Sequence, residues 1–373
     1  MNRLLIDGTP ISRRMDGLSQ YILNVIAHLD VSAYHCTLLV RPRECPAEHI
    51  QRFEKKGIIV EQVSIAPIGP KRDIQFAHYL RTHTPFDIAF IPSNQFPVAL
   101  NIPAVYTVHD LIYECFPEQL GRMRTIKRWY LRFVVRTGLR KAKRVIAISE
   151  YTKQEILRCH GAQYNDKIQV IYEGWEHLLG TSSSDNATPK GVHFKDYILY
   201  VGSSRGHKNL SRLVKAIERC KDQLPSHFGM VIVGNTAMFC PEQLQAIARV
   251  NATREVIQLT GWLEDTDLTA YFRHAKALIF PSLSEGFGIP ILEAYYFHIP
   301  LLLSNQASLP EVAGDAAIYF DPYSVEDIAE TIVRFLHQPD HTALIRKQSE
   351  RLSLYSWDQT ARQINQLLLS IHQ

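Results

Sequence analysis

The chain has 373 residues, 46% of them hydrophobic and 21% charged, which is enough to bury two ordinary cores without disulfides or metals as staples. A net charge of +4 is too mild to argue for nucleic acid, and no nucleic-acid motif accompanies it. Six scattered cysteines without a C-x-x-C pair suit a reduced, cytoplasmic chain, Met1–Ser12 lacks the apolar core of a signal peptide, and there is no apolar run of about 18 residues to span a bilayer.

Arg3–Asp7 reads as a first strand, followed by Gly8-Thr-Pro and Arg13–Gly17. A helix follows over 19–29, apolar at Tyr21, Ile22, Val25, Ile26 and Leu29. Strand, glycine turn and helix open a nucleotide-binding fold. A purely structural turn accounts for Gly17 as well as a ligand loop does. Strands are expected at Thr37–Val40, Ile58–Val63, Ile88–Ile91 and Ala104–Val108, with helices over 47–56 and 73–83. This alternation predicts a parallel α/β sheet with crossovers. The strand at Ala104–Val108 ends in His109-Asp110. A histidine at the carboxyl end of a parallel strand faces the crevice where α/β sheets bind ligands. The plain alternative makes Asp110 a helix cap and His109 a packed core residue.

Residues 121–144 carry a dense run of Arg and Lys with no acidic residue, interleaved with Trp129, Tyr130, Phe133, Val134 and Val135. The pattern predicts a basic amphipathic helix of the kind that lies on an anionic membrane. A solvated face with one core stripe is the bland reading. Arg144–Ile148 is a strand, and Ser149 caps a helix over 150–160. Ile168–Tyr172 is the last strand of the first half, followed by Glu173-Gly174-Trp175. The stretch 180–191, rich in Ser, Thr, Asn, Gly and Pro, is the expected linker, with the boundary near 185.

The second half restarts the pattern with a strand at Tyr197–Val201, the loop Gly202–Asn209 and a helix over 210–220. A strand, a loop carrying Arg205 and Lys208, then a helix suits a phosphate; surface solvation is the alternative. Met230–Gly234 and Val256–Leu259 are the next strands, the latter leading into Gly261-Trp-Leu263. Asp265-Thr-Asp267 spells D-x-D, but it opens a helix over 265–274, where Asp acts as a cap or first-turn anion; no metal is assigned to it. Ala277–Phe280, Leu301–Leu303 and Ala316–Tyr319 read as buried strands. Between the first two lies Glu285-Gly-Phe-Gly-Ile-Pro-Ile-Leu-Glu293. Gly286 and Gly288 let backbone approach a ligand closely, and Pro290 suits a first helical turn. The helix start offers unpaired N–H groups to an anion. Glu285 and Glu293 flank this cradle and can accept hydrogen bonds from hydroxyls, so the stretch suits a sugar nucleotide. Helices near 325–336 and 342–354 follow, and Tyr355-Ser-Trp-Asp358 starts a last helix running to 371.

The E-x7-E spacing around Gly-Phe-Gly, with the later Ser308-Leu-Pro-Glu-Val-x-Gly-Asp-Ala-Ala, resembles the donor-site signature of retaining GT-B glycosyltransferases of family 4, glycosyl transferases group 1. The resemblance implies an α/β architecture of two Rossmann-like domains facing across a cleft. Residues 1–185 would form the acceptor side, 186–355 the nucleotide-sugar domain, and 356–373 a helix crossing back to the first domain. It implies transfer of a sugar, with retained configuration and no metal or other cofactor, from a nucleotide-diphosphate sugar to a saccharide or lipid-linked saccharide of a surface polysaccharide. In that scheme Glu285 and His109 are the catalytic pair: Glu285 holds sugar hydroxyls and faces the cationic anomeric centre, and His109 orients the sugar. Lys208, Arg205 and the N–H groups of Phe287, Gly288 and Ile289 meet the diphosphate, with Gly286 shaping the loop. Glu293 takes the ribose, the backbone near Leu263 the base, and Gly17 lies over the donor phosphates. GDP-mannose is the expected donor by family frequency, with UDP- and dTDP-sugars open. The implied location is cytoplasmic, peripheral on the inner face of the plasma membrane through 121–144, with no nucleic-acid partner. Acceptor, linkage and oligomeric state are not readable.

Five positions depart from the family pattern. Ser19 and Gln20 replace the usual Gly and Arg after Gly17. Glu173 stands where Asn usually precedes Gly. His207 stands where Arg is common, and His298 occupies a place usually held by a small residue, often Gly. The competing readings are a sugar-nucleotide epimerase of the same fold and a non-catalytic nucleotide-sugar-binding protein.

Overall fold

Short runs that are apolar on both sides of the pleat can only be buried between two layers of helices. In the computed structural model they become the strands of two parallel sheets. It describes the chain except for residues 14–15, 84, 122, 179–187, 339 and 372–373. The chain divides into two units, Met1–Gly174 with Ser356–Gln373, and Trp175–Tyr355. The expected boundary near 185, most of the linker around it, and Arg122 at the head of the basic stretch lie outside the described residues.

The first unit carries β1 (Asn2–Asp7), β2 (Tyr34–Val40), β3 (Ile59–Gln62), β4 (Ile88–Ile91), β5 (Ala104–Val108), β6 (Arg144–Ala147) and β7 (Ile168–Val170). They form a seven-stranded sheet in the order β3-β2-β1-β4-β5-β6-β7. The second carries β8 (Asp196–Val201), β9 (Phe228–Val233), β10 (Ile257–Gly261), β11 (Ala277–Phe280), β12 (Leu301–Ser304) and β13 (Ile318–Phe320), in the order β10-β9-β8-β11-β12-β13. Each sheet steps outward from its first strand, then returns to pair on that strand's other side. The reversal falls between β1 and β4 in one unit and between β8 and β11 in the other, and there the loops leaving the carboxyl ends diverge around a crevice.

The last helix, Trp357–Ser370, belongs to the first unit. It packs on the helix Gly17–His28. Trp357 is fully buried, its ring edge-on to Tyr21 with centroids 6.0 Å apart, and the Thr360 hydroxyl donates to the Tyr172 carbonyl at 2.6 Å.

Some boundaries differ from expectation for local reasons. Gly17 does not make a left-handed turn: it is the first residue of its helix, which Asp16 caps by accepting from the Ser19 N–H at 2.9 Å. The basic helix begins at Arg124, because Met123 takes a left-handed φ of 62°. β13 begins only at Ile318, since the buried Tyr295 hydroxyl donates to the carbonyls of Ala313 and Ala316, both at 3.1 Å, and holds that stretch as a loop. D-x-D opens the helix Asp265–His274 behind Glu264, which takes the N-cap position.

His298 adopts φ 54° just past the helix Ile289–Tyr296. That conformation is the reason a glycine is common there: an L side chain in the left-handed region costs about 1–2 kcal/mol. His298 is exposed and has little packing to lose. His298→Gly should therefore raise stability by roughly 0.5–1 kcal/mol, once the extra chain entropy of glycine is subtracted. A urea melt with an unchanged or lower midpoint would contradict this.

Candidate active site

In the second unit the loops after β8 and β11 flank the strand reversal, so their side chains are brought to one place. The loop after β8 runs Gly202–Asn209 and ends in a single turn, Gly206–Lys208, before the helix Leu210–Cys220. Asn209 fixes it. Its side-chain amide donates to the carbonyls of Pro281 at 3.1 Å and Pro322 at 2.7 Å. The loop after β11 answers with its own backbone, as the Leu283 N–H donates to the His207 carbonyl at 2.7 Å. Ser308, fully buried, donates to the carbonyls of Glu285 and Phe287, both at 3.0 Å. The serine of the Ser-Leu-Pro-Glu-Val segment thus pins the Gly-Phe-Gly loop.

The product is a charged contact. Lys208 Nζ lies 2.7 Å from Glu285 Oε1, with the two side chains 20% and 11% exposed. Lys208 also lies over the Phe280 ring, 5.3 Å from its centroid. The glutamate oxygen has the ammonium beside it but makes no well-directed hydrogen bond among the described residues. His207 is buried, and burial lowers its pKa to about 4, against Glu285 and helped by Lys208 and Arg205. It is therefore neutral near pH 7, and the positive charge of this loop comes from Lys208 and the exposed Arg205.

Past Glu285 the chain turns into the helix Ile289–Tyr296. Gly288 has φ 105°, a conformation that favours glycine, and a Cβ there would sit tightly against Leu309 at 3.0 Å and Ile291 at 3.1 Å. The helix has no side-chain cap and has Pro290 in its first turn. The Phe287 ring is buried against Tyr355, with centroids 5.6 Å apart, so this residue can offer a ligand only its backbone. Glu293 is half-buried, within the same helix. Leu263 is half-buried in the loop after β10, two strands removed from β8. Asp267 lies 3.5 Å from Lys190. Among the described residues no group of three or more His, Cys, Asp or Glu is placed to hold a metal ion.

In the first unit His109 sits at the carboxyl end of β5. Asn94 builds its setting: its side chain accepts from the His109 N–H at 2.7 Å and donates to the Asp110 carbonyl at 2.8 Å. The Thr152 hydroxyl donates to the His109 carbonyl at 3.2 Å. Tyr21 stands edge-on to the imidazole, with centroids 4.6 Å apart. The ring nitrogens face the Pro92 carbonyl, 3.0 Å from Nε2, and Glu173, 3.7 Å from Nδ1. Sequence reasoning noted Glu173 only as a departure. The signal available was position, since the ends of β5 and β7 lie on the same edge of a parallel sheet.

The profile described as "Glycosyl transferases group 1" matches residues 187–352, and the one described as "Glycosyltransferase Family 4" matches residues 15–177. The chain belongs to the group 1 glycosyltransferases. Among relatives of this glycosyltransferase, "O-antigen chain mannosyltransferase B" of Escherichia coli is 26% identical over 70% of this chain and 68% of its own. "Serotype-specific mannosyltransferase WbdA" of Escherichia coli is 27% identical over 84% of this chain, which spans only 38% of that longer protein. Among solved structures, Anabaena Alr3699/HepE in complex with UDP-glucose superposes with a TM-score of 0.74 at 18% identity, covering 99% of this chain and 100% of its own. The fold of this glycosyltransferase is GT-B, with two Rossmann-like units and the C-terminal helix returned to the first.

Proposed function

We propose that this glycosyltransferase moves mannose, with retained anomeric configuration and without a metal, from GDP-mannose to a saccharide or lipid-linked saccharide in surface-polysaccharide synthesis. The observation that carries the reading is the Lys208–Glu285 contact at the strand reversal of the second unit. A cation and a carboxylate held side by side, next to a glycine-led helix start, suit a ligand with a diphosphate at one end and hydroxyls at the other. Lys208, Arg205 and the N–H groups of Phe287, Gly288 and Ile289 would neutralise the diphosphate as it leaves, which is stabilisation by preorganised charge. Glu285 would turn from Lys208 to the sugar hydroxyls and face the anomeric centre as it becomes cationic. Glu293 would take the ribose, the backbone at Leu263 the base, and Gly17 would lie near the phosphates. His109 would orient the sugar. Mannose as the sugar is supported by the names of the relatives. A nucleotide sugar as the donor is supported by the UDP-glucose complex of the Anabaena neighbour.

The second part of the proposal is a membrane face. The helix Arg124–Lys141 buries Val134, Val135, Gly138 and Leu139. Its other side exposes Met123, Ile126, Trp129 and Phe133, at 64%, 62%, 71% and 55%, spaced as one stripe. Exposed Arg124, Lys127, Arg136 and Arg140 border it. Apolar residues among cations with no acid between them match an anionic lipid surface, which would hold the enzyme at the cytoplasmic face, near a lipid-linked acceptor. Arg128 and Arg132 do other work, lying 2.7 Å and 3.7 Å from the buried Glu114.

Glu285→Ala should abolish mannose transfer while the melting curve stays that of a folded protein. Lys208→Ala should lower the rate about 10²-fold, as for loss of one preorganised donor. EDTA should leave activity unchanged, and NMR of the product should show the donor's anomeric configuration. Near-normal turnover by Glu285→Ala, or an inverted product, would refute the mechanism.

Co-sedimentation with vesicles rich in anionic lipid should fall when Trp129 and Phe133 become Ser. It should also fall by about 1 kcal/mol for each of Arg124 and Lys127 changed to Gln. Equal binding of wild type and both variants would remove the membrane assignment.

A further inference from the structure

Each ring nitrogen of His109 faces a partner. Nε2 lies 3.0 Å from the Pro92 carbonyl oxygen. A carbonyl only accepts, so Nε2 carries a hydrogen. Nδ1 lies 3.7 Å from Glu173 Oε1, an ion-pair separation rather than a hydrogen bond. Glu173 is 3% exposed. Tyr21, hydrogen-bonded at 3.3 Å to the Thr107 hydroxyl, stands edge-on to the imidazole. The next residue approaches the last helix closely: a Cβ on Gly174 would lie 2.1 Å from the Trp357 nitrogen. Only glycine fits there, and it holds the end of β7 against the start of the last helix.

Charge then limits what this pair can be. A buried carboxylate facing a neutral imidazole would be an uncompensated charge, which is far costlier than a compensated one. Two arrangements avoid that. The proton rides on Nδ1 opposite a carboxylate, or it stays on the carboxyl opposite a neutral Nδ1. Both leave one shared proton on the pair and no net charge.

We propose that Glu173 is a positioning residue for sugar transfer: together with the Pro92 carbonyl it clamps both ring nitrogens of His109 and keeps one proton on the Glu173–His109 pair. The proposal rests on the reading of His109 as the residue that orients the donor sugar. With both nitrogens engaged, the ring is not a free general base. It is a fixed ring that adds no net charge beside the sugar it orients. A second proton makes the pair positive, which disfavours cationic charge developing on that sugar, so transfer loses rate on the acid side. The groups facing Glu173 are His109 and the Tyr21 phenol. Burial pushes the Glu173 carboxyl above the ordinary carboxylate range, with His109 opposing, so the acid limb belongs above that range too.

The test uses the full-length enzyme and Glu173→Gln, Glu173→Ala and Glu173→Asn, the last restoring the residue common in the family. Two readouts are needed. One is kcat and KM for the nucleotide sugar across pH. The other is the nitrogen NMR signal of the His109 ring, assigned by its loss in His109→Gln. Glu173→Gln preserves shape, so its melting curve should match wild type. Its kcat should fall about tenfold, the lower end for loss of a carboxylate that orients a histidine. KM for the donor should change far less, and both the acid limb and the Nδ1 signal should move. Wild-type kcat and an unchanged acid limb in all three variants would overturn the proposal. An Nδ1 signal identical in wild type and Glu173→Gln would overturn it as well, whatever the activity. Should no nucleotide sugar support transfer by the wild-type protein, the proposed function fails by itself, and the ring signal still decides whether the clamp exists.

Discussion

The reversal of strand order in the second sheet is the constraint from which the candidate site follows. Because β8 and β11 are neighbours but far apart in the chain, the loops leaving their carboxyl ends start side by side at the crevice, and each brings one charge. Lys208 and Glu285 meet at 2.7 Å with most of both side chains withdrawn from water. A pair so placed differs from a surface salt bridge, where the net gain is near zero. Removing either partner leaves the other half-buried and uncompensated. A ligand that brings its own anion and its own hydroxyls can satisfy both partners at once, which is why the contact reads as a site rather than a staple.

Much of the surrounding structure serves to hold those two loops. Asn209 ties the first to Pro281 and Pro322, Ser308 ties the second through the carbonyls of Glu285 and Phe287, and a backbone bond joins them at His207. Each is a buried polar group with its partner. Gly288 completes the arrangement at a backbone angle that favours glycine.

The sequence made the sheets legible because short apolar runs bounded by Gly, Pro, Ser and Asn admit few other readings. It made the Glu285–Glu293 stretch legible because glycine, proline and acid recur there at a spacing with a physical purpose. What it hid depended on contacts distant in the chain. His207 looked like a substitute for a cation, yet the loop after β11 covers it and keeps it neutral near pH 7. Glu173 looked like a mere departure, because its partner His109 lies two strands away in the sheet. Helix starts were hard to place where no Ser, Asp or Asn marks them, as at Met123, whose left-handed backbone begins the basic helix without a cap. His298 is the converse case: an oddity in sequence that the backbone angle explains directly.

A crystal of this glycosyltransferase soaked with GDP tests the central claim most directly. The account predicts phosphate oxygens within hydrogen-bond distance of Lys208 Nζ and of the N–H groups of Gly288 and Ile289, with the Lys208–Glu285 contact opened. A nucleotide bound elsewhere, with that contact intact, would contradict it.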